Sequence, residues 1–557
     1  MNYPQSIFLL LWACLCANNL SAQTKEDKEQ APKRYYTIDM TVASMKKAAE
    51  SSKSGYRKNP WKPIEHNCEI ELPFELDNAF LGVPKQSQAS LLNLVKGGVK
   101  ISNQVIQPIE RQLMASEYFR PGISKELFEC LTGCTLAEKD FQQSHFLYIE
   151  DLSRDIAYAR SELYGESSFD SPLPYATPWG NYKCRMIRTK ADLDSVMSHP
   201  NEIGLTYSLR GGHVFSDLFA LRPDEESGET NLEVLGRQEF GQLVLNSVNQ
   251  LKGILPIRQK TGEYLSVPIF SISFGNYFED GIVGKVSRFN SAQEEVFGEQ
   301  NSLGKGFTEL GQWVCRRLLD KKVGRRILVD VADMSLDGRL WFYGYLKEER
   351  FRKDTIPALA LNVGISGLSY KDNAYSGSDE PVKNQQSFFN NRQANLCRQD
   401  IKAIVKSKGL VGISLDRDRL MGKAFQTRYN STVPGSANRR AVAVEAIVAN
   451  ICRFIYVAQS IDAWEMLSIS SSFDMYARPL EVYDSSDDME QLYRDLIAFF
   501  ETPHDIEGLY TAEEIQTFMY NFSAEEVVDR IMYKNALNFM YKHLPEVDLT
   551  EEEAHNN

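Results

Sequence analysis

The stretch ILVDVADMS, residues 327–335, decides how the chain folds. ILVDV is apolar and rich in β-branched side chains, as a strand buried on both faces must be. It is entered from the basic turn KKVGRR and leaves through Ala332, Asp333, Met334 and Ser335. In a barrel of parallel strands, that exit is where catalytic residues sit. Asp333 is therefore either a working group or the trace of one.

Seven further runs have the same form: YYTIDMTVA (35–43), VKISNQVI (99–106), GLTYSL (204–209), VPIFSISF (267–274), PALALNV (357–363), LVGISL (410–415) and EMLSISS (465–471). Amphipathic stretches such as LGQWVCRRLLDKK, DIKAIVKSK and AVAVEAIVANICRFIYVAQ lie between them. Eight strands alternating with helices predict an α/β fold, a (β/α)8 TIM barrel rather than an open doubly wound sheet. Residues 45–92 and 216–262 read as insertions or decorated loops, and 370–395 as a long polar loop leaving the sixth strand. The C-terminus reads as helical, with Ser523 and Glu526 at capping-box spacing.

The 557 residues are 43% hydrophobic and 25% charged, enough to bury a large core. A net charge of −13 argues against a nucleic-acid partner, which would favour a basic surface. The N-terminus joins an apolar core, IFLLLWACLCA, to Leu20-Ser21-Ala22 before Gln23. That is the form of a secretory signal, although MNYPQS lacks Lys and Arg. The expected organisation is a signal peptide over 1–22, a disordered linker over 23–34, a barrel over 35–545 and a disordered tail over 546–557. The expected location is the bacterial periplasm or cell envelope. A lipid-attached form would start at Cys14, since Leu-Trp-Ala-Cys14 faintly resembles a lipid-attachment box. No later segment is an uninterrupted apolar run long enough to span a membrane. Seven cysteines follow the leader, with no Cys-x-x-Cys, so most read as small buried hydrophobes.

Motifs that carry chemistry are sparse in the chain. The chain has seven His, and no His-x-His, His-x-Asp or His-Glu-x-x-His. Gly-x-Ser-x-Gly, a P-loop and Gly-x-Gly-x-x-Gly are also absent. The strand ends carry Thr41, Arg210, Asp333, Asn362 and Asp474, and only His213, in SLRGGHVFSD, sits just past a strand. Arg210 beside Gly211-Gly212 could bind an anion. It could instead pair with Asp333 or Asp474, and a carboxylate facing a barrel mouth needs such a partner.

Taken in order, the landmarks IDMTVAS, GLTYSLRGGHVF, RRILVDVADMSLDGRLWFY, IPALALNVGISGL, NLCRQDIKAIVKSKGLVGISLDRDRLMG, SISSSFDM and MYKNALNFMYKHL resemble the membrane dipeptidase family. These are renal-dipeptidase-like metallopeptidases of the amidohydrolase superfamily, and the likeness is to their longer secreted bacterial members over 35–545. The resemblance implies a metal-dependent-hydrolase barrel whose two zinc ions activate a water against a dipeptide amide. It also implies where the ligands should stand. The His-x-His or His-x-Asp pair of the first strand falls on Thr41 and Ala43. The metal-bridging glutamate falls on Arg210, the fifth-strand histidine on Asp333, the Ser-His of the sixth strand on Leu361-Asn362, and the first aspartate of the eighth on Ser472.

Three functions follow as expectations. The first is an exported, non-catalytic binding or scaffold protein that needs no cofactor and holds a peptide or protein at the old mouth. The second is a hydrolase with a single-metal or metal-free site built from Asp333, Asp474 and His213. The third is an active metallodipeptidase, against which the histidine inventory speaks. Whether the chain is an enzyme stays open at this level.

Overall fold

The computed structural model describes residues 37–53, 58–64, 83–84, 86–110, 125–135, 148–165, 171–215, 231–255, 257–258, 264–265, 268–278, 280–286, 304–369 and 387–546. Eight parallel strands close into a barrel: β1 (Thr37–Val42), β2 (Val99–Ile106), β3 (Glu202–Arg210), β4 (Ile269–Ser273), β5 (Leu328–Asp330), β6 (Leu359–Val363), β7 (Leu410–Ser414) and β8 (Leu467–Ser470). Each pairs with the next, and β8 returns to β1 through Ile469 opposite Asp39. All eight fall on the runs read from sequence. Each is buried along its whole length, which explains the continuous apolar or small-residue runs.

One feature was not visible in the sequence. A hairpin of Tyr175–Thr177 and Gly180–Met186 leans on the barrel. Its second strand pairs with the first half of β3 (Cys184 opposite Ile203), while β4 takes the second half of the same edge.

The helices that matter here are α1 (Lys46–Lys53), α2 (Tyr148–Tyr164), α3 (Leu336–Phe351), α4 (Arg398–Ser407) and α5 (Ala437–Ala458). ILVDVADMS ends by starting α3: the Ser335 hydroxyl accepts the Gly338 N–H at 3.1 Å, so strand, exit and helix cap occupy nine residues. α5 is long and apolar enough to cross a membrane by composition, yet most of it is buried in the core. The insertions carry helices of their own, Lys46–Lys53 in the first and Asn231–Leu251 in the second. The leader, the linker, residues 370–386 and the tail from 547 onward lie outside the described residues.

At the C-terminus the Ser523–Glu526 capping box forms as expected. The last helices then close the N-terminal end of the barrel. Asn535 donates to the carbonyls of Trp464 (2.7 Å) and Leu467 (2.9 Å), fastening that segment to the start of β8. Phe539 meets Phe270 of β4 edge to face. Cys134, Cys184, Cys315, Cys397 and Cys452 are free and buried. Cys130 is disulfide-bonded.

Candidate functional site

The strand exits gather at the C-terminal mouth. Arg210, the last residue of β3, reaches past β4 so that its guanidinium lies 3.5 Å from Asp333. Arg419, in the short helix after β7, donates to the other Asp333 oxygen at 2.5 Å and to the Asn362 carbonyl at 2.9 Å. The Asn362 amide oxygen accepts the Ser414 hydroxyl at 2.5 Å. On the far side, the Thr41 hydroxyl donates to the Ser470 hydroxyl at 3.2 Å, and the Ser472 N–H donates to the Thr41 carbonyl at 2.7 Å. The Ala43 N–H is held by the Phe473 carbonyl at 3.0 Å. Thr41, Ala43, Arg210, Asp333, Asn362 and Ser472 are each no more than 2% exposed. They form a closed polar layer across the mouth.

The backbone of this layer is unusual. Asp333, Asn362 and Ser472 all adopt left-handed φ, at 64°, 59° and 62°. Three strand exits bent in this sparsely populated way, toward one place, are what active sites commonly show. Gly211 (φ 110°) turns the chain directly after Arg210, and a Cβ there would meet the His213 ring at 2.1 Å.

His213 and Asp474 are placed apart from this layer. The His213 ring sits edge-on to Tyr148, with Nε2 3.2 Å from the Pro108 carbonyl. Asp474 pairs with Lys47 at 3.2 Å and accepts the N–H groups of Gln88 (3.1 Å) and Ala89 (3.0 Å). Of the two carboxylates offered to Arg210 by the sequence, the structure pairs it with Asp333.

Below the layer the barrel interior is rich in hydroxyls. Asn103 accepts from Thr206 (3.0 Å) and Ser208 (2.9 Å), and Ser208 shares a hydrogen bond with Ser271 at 2.6 Å. Two carboxylates are sealed there. Asp39 accepts the N–H groups of Thr41 and Ser471, and Asp330 those of Ala332 and Leu361. Burial pushes each up to about 6 despite these bonds. Around the rim, Glu110 accepts the N–H groups of Tyr277 and Phe278, and Asp280 those of Gly212 and Ile282, which ties together the chain beyond β2, β3 and β4.

Two zinc ions do not fit this donor set. Asp333 is the one carboxylate among the six positions, and both its oxygens face guanidinium groups. Ala43 offers no donor, hydroxyls and an amide are poor zinc ligands, and the two guanidiniums facing Asp333 would repel a dication. Among the described residues, no group of three or more His, Cys, Asp or Glu is placed to hold a metal ion. Sequence reasoning missed Arg419 although it lies within the landmark SLDRDRLMG. Nothing local separates it from the neighbouring Arg417 until the fold brings it to Asp333. A cavity of about 610 Å³ lined by Lys408, Glu465, Arg530 and Lys542 lies at the opposite end of the barrel, by the strand starts.

No protein-family model and no curated protein matches the chain. Solved structures do. Three of them are named as metallopeptidases or dipeptidases. One is a metallopeptidase from Rhodobacter sphaeroides liganded with a phosphinate mimic of L-Ala-D-Ala, at 10% identity and TM-score 0.45, covering 92% of this chain and 100% of that one. A second is the M19-family dipeptidase AC, at 10% identity and TM-score 0.44, covering 92% and 100%. A third is the probable dipeptidase PvdM from Pseudomonas aeruginosa, at 9% identity and TM-score 0.45, covering 92% and 97%. Likeness at this level carries nothing about chemistry, which rests on the residues of this chain.

Proposed function

We propose that this chain is an exported barrel of the membrane-dipeptidase type that has exchanged its binuclear metal centre for an internal ion-pair layer, and that it works as a binding or scaffold protein rather than a zinc dipeptidase. One observation carries this reading: Asp333 is held between Arg210 and Arg419, all three buried at the place where the sequence landmarks put the metal ligands. A guanidinium at the bridging-glutamate position reverses a charge at the centre of such a site. A peptide or protein partner at the mouth would meet the loops above the layer, because the layer itself is closed to solvent.

Export belongs to the same proposal. The apolar leader core motivates it, and the disulfide at Cys130 suits an oxidising compartment. N-terminal sequencing of envelope material should begin near Gln23.

The functional test is metal analysis of protein purified without chelator, alongside a dipeptide hydrolysis assay. The expected result is well under one zinc per chain and no hydrolysis above background. Two firmly held metals with chelator-sensitive cleavage would overturn the reading.

A further inference from the structure

Beside the ion-pair layer lies a second group of buried side chains that the proposed function does not use. α1 follows the exit of β1, and its first residue, Lys46, is 7% exposed. The Lys46 Nζ atom is shut off from solvent and has no hydrogen-bond partner. It sits over the ring face of Tyr476, 4.0 Å from the centroid, and Tyr476 follows β8 in a left-handed conformation (φ 58°). Glu50 lies one helical turn on from Lys46, where i,i+4 side chains are neighbours. Its Oε1 accepts from Lys53 at 3.1 Å, whereas its Oε2 is buried with no partner. The Tyr476 hydroxyl is likewise buried and unpartnered.

Three polar atoms from two neighbouring strand exits thus stand enclosed and without a hydrogen-bond partner. Folded proteins rarely leave such groups without a water, an ion or a ligand between them. The other charges nearby are already engaged. Lys53 also pairs with Asp151 (2.9 Å) and Asp155 (2.6 Å), and Lys47 takes Asp474. Lys46 is the amine left over.

We propose that Lys46 is a reactive amine that condenses with a small, neutral hydroxycarbonyl compound, with Glu50 and Tyr476 as its polar contacts. The Lys46 nitrogen attacks the carbonyl carbon, and the oxygen takes up a proton to give a carbinolamine. Water then leaves as the C=N bond forms, so that amine plus carbonyl compound become imine plus water with no redox partner. Glu50 Oε2 carries the two amine protons to that oxygen in turn, the first giving the carbinolamine hydroxyl and the second letting it leave as water. Tyr476 O–H donates to a substrate hydroxyl.

The surroundings favour both ends of this step. The groups facing Lys46 are Lys47 and Glu50 on α1, Asp155 on α2 and Asp474 after β8. Burial outweighs the three carboxylates and brings the amine down to about 7, so a neutral nucleophile is present at ordinary pH. An imine that takes up a proton from water spreads its charge over C=N. It would gain the attraction of the same carboxylates and of the Tyr476 ring face at a smaller desolvation cost. Those carboxylates also disfavour anionic keto acids, which is why the ligand is assigned as neutral. This chemistry needs no metal and stands apart from the fate of the dipeptidase site.

The test uses the full mature chain with dihydroxyacetone and borohydride at neutral pH, followed by peptide mapping. The expected result is a reduced adduct predominantly at Lys46, lost in Lys46→Met and weakened in Glu50→Gln. Pyruvate should give less adduct at Lys46. Competitive acetylation of the unaltered protein as a function of pH supplies a measurement that needs no variant: Lys46 should gain reactivity near pH 7. Adducts spread over exposed lysines with none at Lys46, or a Lys46 that titrates like a surface lysine, would overturn the proposal.

Discussion

Arg419 and Asp333 meet at 2.5 Å with both side chains buried, while Arg210 approaches the second oxygen of the same carboxylate at 3.5 Å. The two contacts are unequal, and this sets an order of effects. Asp333→Ala removes the carboxylate that two buried arginines face. It should cost about 3–5 kcal/mol, the usual result of removing one partner from a buried pair. Arg210→Met should cost less, because Asp333 keeps Arg419. Urea midpoints of the two variants check the order, and equal losses would mean that the 3.5 Å contact carries the whole effect and the 2.5 Å one adds nothing.

The left-handed exits give an effect of opposite sign. Ser472 has φ 62°, and its buried hydroxyl has no hydrogen-bond partner. Ser472→Gly relieves the backbone and removes an unsatisfied polar atom, so it should stabilise by about 1 kcal/mol. A loss of stability in thermal unfolding would show that the hydroxyl has a use.

These effects also mark what was legible in the sequence. All eight barrel strands could be read, because a strand buried on both faces leaves a continuous apolar run such as ILVDV or PALALNV. The capping box at Ser523 could be read because its signal is confined to four residues. The hairpin over 175–186 could not, since YATPWGNYKCRM is short, half exposed and interrupted by Pro178 and Gly180. At the mouth, the landmark positions Arg210 and Asp333 were found, and so was their pairing as one of two options. Arg419 and the buried Lys46 were not found. Their character comes from neighbours far away in the chain and from burial, neither of which leaves a local pattern.

Stability should depend on pH through the sealed aspartates. Asp39 and Asp330 are raised to about 6 in the folded chain, above the ordinary carboxylate value of 3.8. Between those values the folded state binds more protons than the unfolded state, so these two groups make stability fall as pH rises from about 4 to about 6. Asp330→Asn keeps the acceptor oxygen for Ala332 and Leu361 but cannot ionise. The melting temperature of this variant should fall less steeply across that window than that of the parent, and a parallel pair of curves would mean that Asp330 ionises freely.

The last expected outcome concerns how closely β7 and β8 approach. Gly412 lies opposite Ser468, and a Cβ at Gly412 would stand 1.9 Å from the Ser470 hydroxyl oxygen and 2.9 Å from its Cβ. No side-chain rotation of Ser470 moves its Cβ, so Gly412→Ala must shift a strand or strain it. Overpacking of this kind costs about 1–3 kcal/mol. Ser470→Gly removes both contacts, and alone it loses the hydroxyl that accepts from Thr41. The two changes share one space, so together they should cost less than the sum of the single variants. Denaturant unfolding of the four proteins in the cycle measures the coupling. Strict additivity would show that the strands yield at Gly412 without touching Ser470, and the close packing of this side of the mouth would then not limit what the barrel can hold.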